Sequence, residues 1–250
     1  MSGDWPHGYG HLPLGTVTST SDEARARRGE LPGPTWITAA HQTAARGRRG
    51  RAWSNPEGNF AGTLVLTRIT DPAQAALRSF VAALALDEAF TNLTGRPAAF
   101  ALKWPNDVLL NGGKVAGILL ESLTERGRFT GLAIGIGVNL AEAPDPGTLE
   151  PGAVAPVSLM GETGLKVTPG DFLETLAPAF ARWETRFIDY GFAPIRTAWL
   201  ARAARLGEAV TARLPTETIT GTFRTVDADG QLVLSTPNGE RCIAAGDVFF

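Results

Sequence analysis

The sequence predicts an α+β protein that ends in a small all-β unit. Three observations carry this reading. Apolar β-type runs recur between about residues 35 and 140, while helical patterns are confined to a few long stretches. An Asn-Gly step at 111–112 divides two apolar runs, the pattern of a tight hairpin. After Gly207 the composition changes to short β-type segments parted by the turns DADG (227–230) and PNG (237–239), spaced as in a small antiparallel barrel.

Taken in order, residues 1–15 mix Gly, Pro and aromatics and read as irregular. Residues 16–23 (TVTSTSDE) place hydroxyls and then acids before an Ala/Arg run, which marks a helix start. Ser19 and Thr20 read there as caps, with a turn toward a ligand as the alternative. Residues 35–42 (TWITAAHQ) and 59–67 (NFAGTLVLT) read as strands. Asp71 and Pro72 then open a buried helix through about Leu93. Residues 99–110 and 114–123 read as two strands around the 111–113 turn. Residues 129–140 form another, interrupted by Gly131, Gly135 and Gly137, where a bulge or a closely approaching ligand is expected. The proline-rich stretch 141–157 reads as a long loop, a lid or a disordered segment. Amphipathic helices are expected at 171–190 and about 193–204. The composition change places a boundary near residue 206, giving domains 1–206 and 207–250.

The bulk numbers exclude several classes. With 44% hydrophobic residues the chain can build a real core. A net charge of −2 argues against a general nucleic-acid binder. One cysteine, Cys242, excludes an internal disulfide and fits a reducing compartment. No secretory signal or membrane-spanning run is present, so a cytoplasmic address is expected.

Chemistry concentrates in few places. Residues 42–53 (QTAARGRRGRAW) set Arg46, Arg48, Arg49 and Arg51 among Gly47 and Gly50. Glycines permit tight turns, and guanidinium forks suit phosphate and carboxylate. Alone, such a run is as compatible with a solvated basic loop or a nucleic-acid patch. Of 23 basic residues only three are Lys, and two of these, Lys103 and Lys114, lie close together. Between them, Asn106 and Asp107 follow a Trp-Pro step and offer oxygen donors for Mg²⁺ or for a phosphate-ordering network. Gly117, Gly135 and Gly137 would make room for a flat ligand, and Asn139 adds a polar donor. A carboxylate meeting a nucleotide phosphate would suit this set, because the cations screen repulsion between two anions.

GRRGRAW, KWPND, KVAGILLE and GIGVN, in that order, resemble the biotin–protein ligase family, over nearly the whole chain from about Thr16. The final AAGDV resembles the family's small SH3-like barrel domain. The resemblance implies a mixed sheet flanked by helices, akin to the catalytic fold of class II aminoacyl-tRNA synthetases. It implies a two-step reaction with ATP and Mg²⁺: biotin is activated as biotinyl-5′-AMP, then passed to a lysine of a biotin carboxyl carrier protein, the acceptor partner. Carried over by position, Ser19, Thr20, Ser21, Gln42, Arg46, Gly47, Arg48, Lys114, Gly117, Gly135 and Gly137 bind biotin. Arg51, Lys103, Asn106, Asp107 and Asn139 surround ATP, with Asp107 as the candidate metal ligand. Lys114, Asp107 and Arg48 are the expected catalytic groups, Asp107 also as a candidate base. Ser21 and Ala45 depart from the family pattern, which usually has Asn and Gly there. The start at the catalytic domain implies a form without a DNA-binding domain, hence no DNA partner. Monomer and homodimer are equally compatible. A lipoate or octanoyl transferase of the same fold and a non-catalytic biotin sensor are the alternatives.

Overall fold

The computed structural model of the protein describes residues 5–67, 69–145, 147 and 153–250. Among these, a seven-stranded sheet organises the larger part. Its strands are β1 (Gly10–Val17), β2 (Thr35–Gln42), β3 (Phe60–Leu66), β4 (Phe100–Lys103), β5 (Asp107–Leu110), β6 (Gly113–Glu125) and β7 (Arg128–Val138), in the order β1-β2-β3-β7-β6-β5-β4. β1 and β2 run parallel and every other neighbour antiparallel, so the sheet is mixed. β3 is buried at every position, as its unbroken run FAGTLVL requires of a central strand. The β5–β6 turn places Asn111 at φ 49° and Gly112 at φ 84°. Asn and Gly tolerate this left-handed pair, which matches the twist of a hairpin.

Two expectations about the sheet need correction. Residues 10–15 are not irregular: they belong to β1, an edge strand in which Pro13 lies opposite Thr38. At an edge, a proline's missing N–H costs no ladder bond on the open side, so the residue did not forbid a strand. The run 99–110 is not one strand either. It folds back through Trp104-Pro105-Asn106, with a cis Trp104–Pro105 bond, into the antiparallel pair β4–β5.

Helices cover both faces. α1 (Thr20–Arg27) buries Ala24 against Ile37, Val65, Leu123 and Ala133 on one face. Ser19 caps it as expected, accepting from the Asp22 N–H at 3.1 Å. The helix expected from Asp71 is divided at Leu77 into α2 (Pro72–Ala76) and α3 (Arg78–Thr94), with Asp71 as the α2 cap. α3 packs on the opposite face beside α5 (Pro169–Tyr190), which follows the short α4 (Leu159–Thr163) and precedes α6 (Phe192–Leu200). Phe90 stacks on Phe100 at 5.0 Å, and Trp36 meets Phe180 edge-on at 6.0 Å. Arg78 and Glu184 form an ion pair of 2.7 Å between α3 and α5, both side chains under 9% exposed. Residues beyond α6 cover the β4 edge: Leu102 N–H donates to Arg202 O and Ala204 N–H to Leu102 O, both at 2.8 Å. No helix among the described residues is long and apolar enough to cross a membrane.

The C-terminal unit is antiparallel: β8 (Ala209–Arg213), β9 (Thr218–Val226), β10 (Leu232–Thr236), β11 (Gly239–Ile243) and β12 (Asp247–Phe249), ordered β11-β10-β9-β8-β12. Both expected turns join strands there. Among the described residues β11 and β12 form the two edges and do not pair, so no hydrogen-bonded closure makes this sheet a barrel. Its core continues into the larger one through Trp199 and Phe223, and Trp104 Nε1–H donates to Gly230 O at 3.1 Å. Of the loop 141–157, residues 146 and 148–152 lie outside the described residues. The return segment pairs with β6 by a bridge between Lys114 and Pro156.

Candidate active site

A cavity of about 680 Å³ opens on the sheet face that carries α1, and all the site residues expected from the sequence line it. Its floor is the β6–β7 pair, where Gly117 sits opposite Gly137. One end is polar and neutral. The first turn of α1 brings Ser19, Thr20 and Ser21, each under 9% exposed, to the end of β2. Thr20 N–H and Oγ1–H both donate to Gln42 Oε1, at 2.8 and 3.2 Å. Thr63 of β3 in turn donates to Thr20 Oγ1 at 2.8 Å. This chain of hydroxyls fixes the amide of Gln42, which lines the cavity.

The other end is charged. Lys114 Nζ lies 2.7 Å from Asp107 Oδ1, and Lys103 Nζ lies 3.6 Å from Asp107 Oδ2. The register of β4, β5 and β6 enforces this, because Asp107 is paired with Lys103 on one side and with Gly117 on the other. Burial alone would raise the Asp107 carboxyl. The Lys114 and Lys103 ammoniums and Arg48 outweigh it and hold the group below the ordinary carboxylate range. Asp107 is therefore ionised, and a weak proton acceptor. Burial lowers Lys103, which the Asp107 charge partly offsets. Asn106 is committed on both sides: its NH₂ donates to Ile118 O at 2.7 Å, and its Oδ1 accepts from Arg48 at 3.3 Å. Asn139 donates to Val157 O at 3.0 Å, while its buried Oδ1 has no partner among the described residues.

The Arg-Gly loop folds over this cavity as a small hairpin. Arg46 bridges to Ala52, a 3₁₀ turn spans Arg48–Gly50, and Trp53 N–H donates to Ala45 O at 3.0 Å. The arginines then diverge. Arg46 turns to Asp22 on α1. Arg48, Arg49 and Arg51 meet Asp247 of β12 at 3.6, 2.8 and 2.6 Å. Trp53 lies on the glycine floor: a Cβ at Gly137 would stand 2.5 Å from its indole, and one at Gly117 would stand 3.0 Å away. Lys114 Nζ sits 5.4 Å from the same ring.

Residues 13–139 match the Biotin/lipoate A/B protein ligase family, and residues 206–250 match the Biotin protein ligase C terminal domain. A biotin--[acetyl-CoA-carboxylase] ligase of Paracoccus denitrificans is 55% identical over 237 residues, 95% of this chain and 99% of that protein. The chain belongs to the biotin/lipoate protein ligase family. The bifunctional ligase/repressor BirA of Bacillus subtilis is 31% identical over 95% of this chain and 72% of its own length. Among solved structures, the biotin protein ligase of Aquifex aeolicus in complex with biotin and ATP superposes with a TM-score of 0.82. It is 26% identical over 96% of this chain and 97% of that one.

Beside lining the cavity, the glycines at 117 and 137 make room for Trp53 of the protein itself, and Gly135 lets Ser21 Oγ approach to 3.2 Å of a would-be Cβ. The residues that sequence reasoning passed over are Trp53, Thr63 and Asp247. Trp53 ends a motif that was noticed for its arginines. Thr63 carries no sequence signal beyond that of a strand threonine. Asp247 lies 196 residues from Arg51, and no local pattern reveals that pairing.

Proposed function

We propose that this chain is an ATP-dependent biotin–protein ligase: it forms biotinyl-5′-AMP from biotin and ATP, then passes the biotinyl group to a lysine of a biotin carboxyl carrier protein. The observation that carries this reading is the convergence of Lys114, Lys103, Arg48 and Arg51 on one end of a cavity whose other end is neutral and whose floor is made of glycines beside Trp53. Such a cavity separates a small uncharged ring from a carboxylate and a polyphosphate. Ser19, Thr20, Ser21, Gln42, the Arg46–Gly47 backbone, Gly117, Gly135 and Gly137 take the biotin end. Lys114 and Arg48 sit where carboxylate meets α-phosphate, hold the two anions together and neutralise charge as the phosphoryl bond forms. Arg51, Lys103, Asn106, Asp107 and Asn139 surround the nucleotide.

Among the described residues no three His, Cys, Asp or Glu side chains cluster as a metal cage. Mg²⁺ needs none, since it commonly takes one or two carboxylates and fills its shell with phosphate and water oxygens. Asp107 and the unpartnered Asn139 Oδ1 fit that limited role, and the ion would spread the charge of the triphosphate. Asp107 works in this reading by fixing Lys114, while the proton of the carrier lysine leaves to solvent. The mixed sheet with helices on both faces supports the class II synthetase-like fold. The five-stranded unit from residue 207 onward supports a separate domain of SH3-like type, with residues 1–206 as the catalytic one. Cytoplasmic placement beside the carrier follows from the same reading.

Biotin-dependent ATP–pyrophosphate exchange tests the proposal. Wild-type protein is expected to exchange with biotin and not with lipoate, and Lys114→Ala to lose about 10²–10³-fold, as when one transition-state donor is removed. Folded protein that binds biotin without exchange would be a sensor, and exchange driven by lipoate would move the chain to the other branch of its family.

A further inference from the structure

The four arginines of the loop do not share one task. We infer that the Arg46 side chain is a tether and not a ligand contact, and that Asp22 and Glu121 are the positioning residues that hold it and thereby set the biotin end of the cavity. This deepens the proposed function and rests on it.

The geometry is that of a fork engaged through both terminal nitrogens. Arg46 NH1 donates to Asp22 Oδ2 at 3.0 Å and NH2 to Asp22 Oδ1 at 2.6 Å, a two-pronged pair. The same NH2 reaches Glu121 Oε1 at 3.4 Å, and NH1 lies 3.5 Å from Ser19 Oγ. Arg25 closes the cluster, meeting Asp22 at 3.0 Å and Glu121 at 3.1 Å. Two cations thus balance two carboxylates. Three separate pieces of chain are joined: the first turn of α1, strand β6, and the first residues of the Arg-Gly loop. The hydrogen bond from Arg46, against an opposing effect of burial, holds the Asp22 carboxyl well below its usual range, so the pair stays charged at any working pH.

Position gives the cluster its consequence. Asp22 directly follows Ser19, Thr20 and Ser21, and Arg46 lies four residues beyond Gln42, so the tether spans the two sides of the neutral end. Arg48, two residues on, has the opposite setting: it reaches Asn106, Gly246 O and Asp247 across the cavity. With Arg46 engaged by carboxylates, a ligand meets that residue's backbone and not its charge.

The test compares full-length Asp22→Asn, Glu121→Gln, Asp22→Glu, Arg46→Met and the double variant Asp22→Asn/Arg46→Met. One readout is the rate of tryptic cleavage after Arg48, Arg49 and Arg51 without ligand. Another is KM against kcat for biotin in pyrophosphate exchange, with thermal unfolding as the control for global damage. Asp22→Asn and Arg46→Met are expected to speed cleavage and to raise the biotin KM about tenfold with kcat little changed, the mark of lost ground-state positioning. Glu121→Gln follows in the same direction with a smaller effect. Asp22→Glu restores much of the loss, and the double variant is no worse than Arg46→Met alone. A raised KM in Arg46→Met beside a normal Asp22→Asn would show Arg46 acting on the ligand itself and overturn the inference. Unchanged cleavage in Asp22→Asn would overturn it as well. If wild-type protein shows no biotin-dependent exchange, the ligase reading fails separately, and cleavage alone decides whether the tether exists.

Discussion

Trp53 and Gly137 show how one methyl group decides the shape of this site. A Cβ at residue 137 would lie 2.5 Å from Cε2 and Nε1 of an indole that forms one wall of the cavity. A bulky ring cannot yield as the end of a lysine would, so the loop carrying it must shift. Gly137→Ala is expected to weaken biotin binding, measured by calorimetry, through overpacking strain of about 1–3 kcal/mol. Gly135→Ala is expected to cost less, since its Cβ would meet the small Ser21 Oγ at 3.2 Å. Equal effects at the two positions would show that Trp53 moves freely. The sequence marked both glycines as places of close approach, and that much was legible. It did not show that the approaching group is the protein's own tryptophan, because a glycine signals space without naming what fills it.

At the scale of elements, two helices of the layer over the sheet meet through a charged pair that periodicity cannot reveal. Arg78 begins α3, Glu184 lies near the end of α5, and the two side chains are 8% and 7% exposed. Removing one partner strands the other charge in a medium that solvates it poorly. Arg78→Met is expected to lower unfolding free energy by about 3–5 kcal/mol, measured by urea denaturation, with Arg78→Met/Glu184→Leu recovering much of it. Elements with a strong period or strong punctuation were readable in advance. β2 matches its expected bounds, the Asn111-Gly112 turn has the backbone its residues favour, and Ser19 and Asp71 cap their helices. The misreadings fell where local preference is weak. β1 holds a proline and glycines, and becomes a strand because β2 offers it a parallel partner. The β4–β5 fold-back falls at Pro105 and Asn106, two turn-favouring residues inside an otherwise apolar run.

For the whole molecule, the C-terminal unit is more than an appendage. Asp247, 12% exposed, accepts from Arg49 and Arg51 and faces Arg48, so a residue far along the chain holds three cations of the Arg-Gly loop. Asp247→Asn is expected to raise the KM for ATP about tenfold while leaving biotin affinity in place, as charge-assisted bonds that orient Arg49 and Arg51, on the proposed nucleotide side, are lost. A lower KM for ATP would mean that the carboxylate competes with the phosphates instead. The sequence by itself singled out the residues that line the cavity, because glycine spacing, an arginine run and a Lys–Asn-Asp–Lys block are local patterns. It also determined most strands and caps, since these follow from side-chain alternation and short-range hydrogen bonding. Tertiary structure alone decided how those residues divide their work. Whether an arginine faces Asp22, Asp247 or an open cavity depends on groups brought together from distant parts of the chain, and the Coulomb energy between them is set by distance in space and not by separation in sequence.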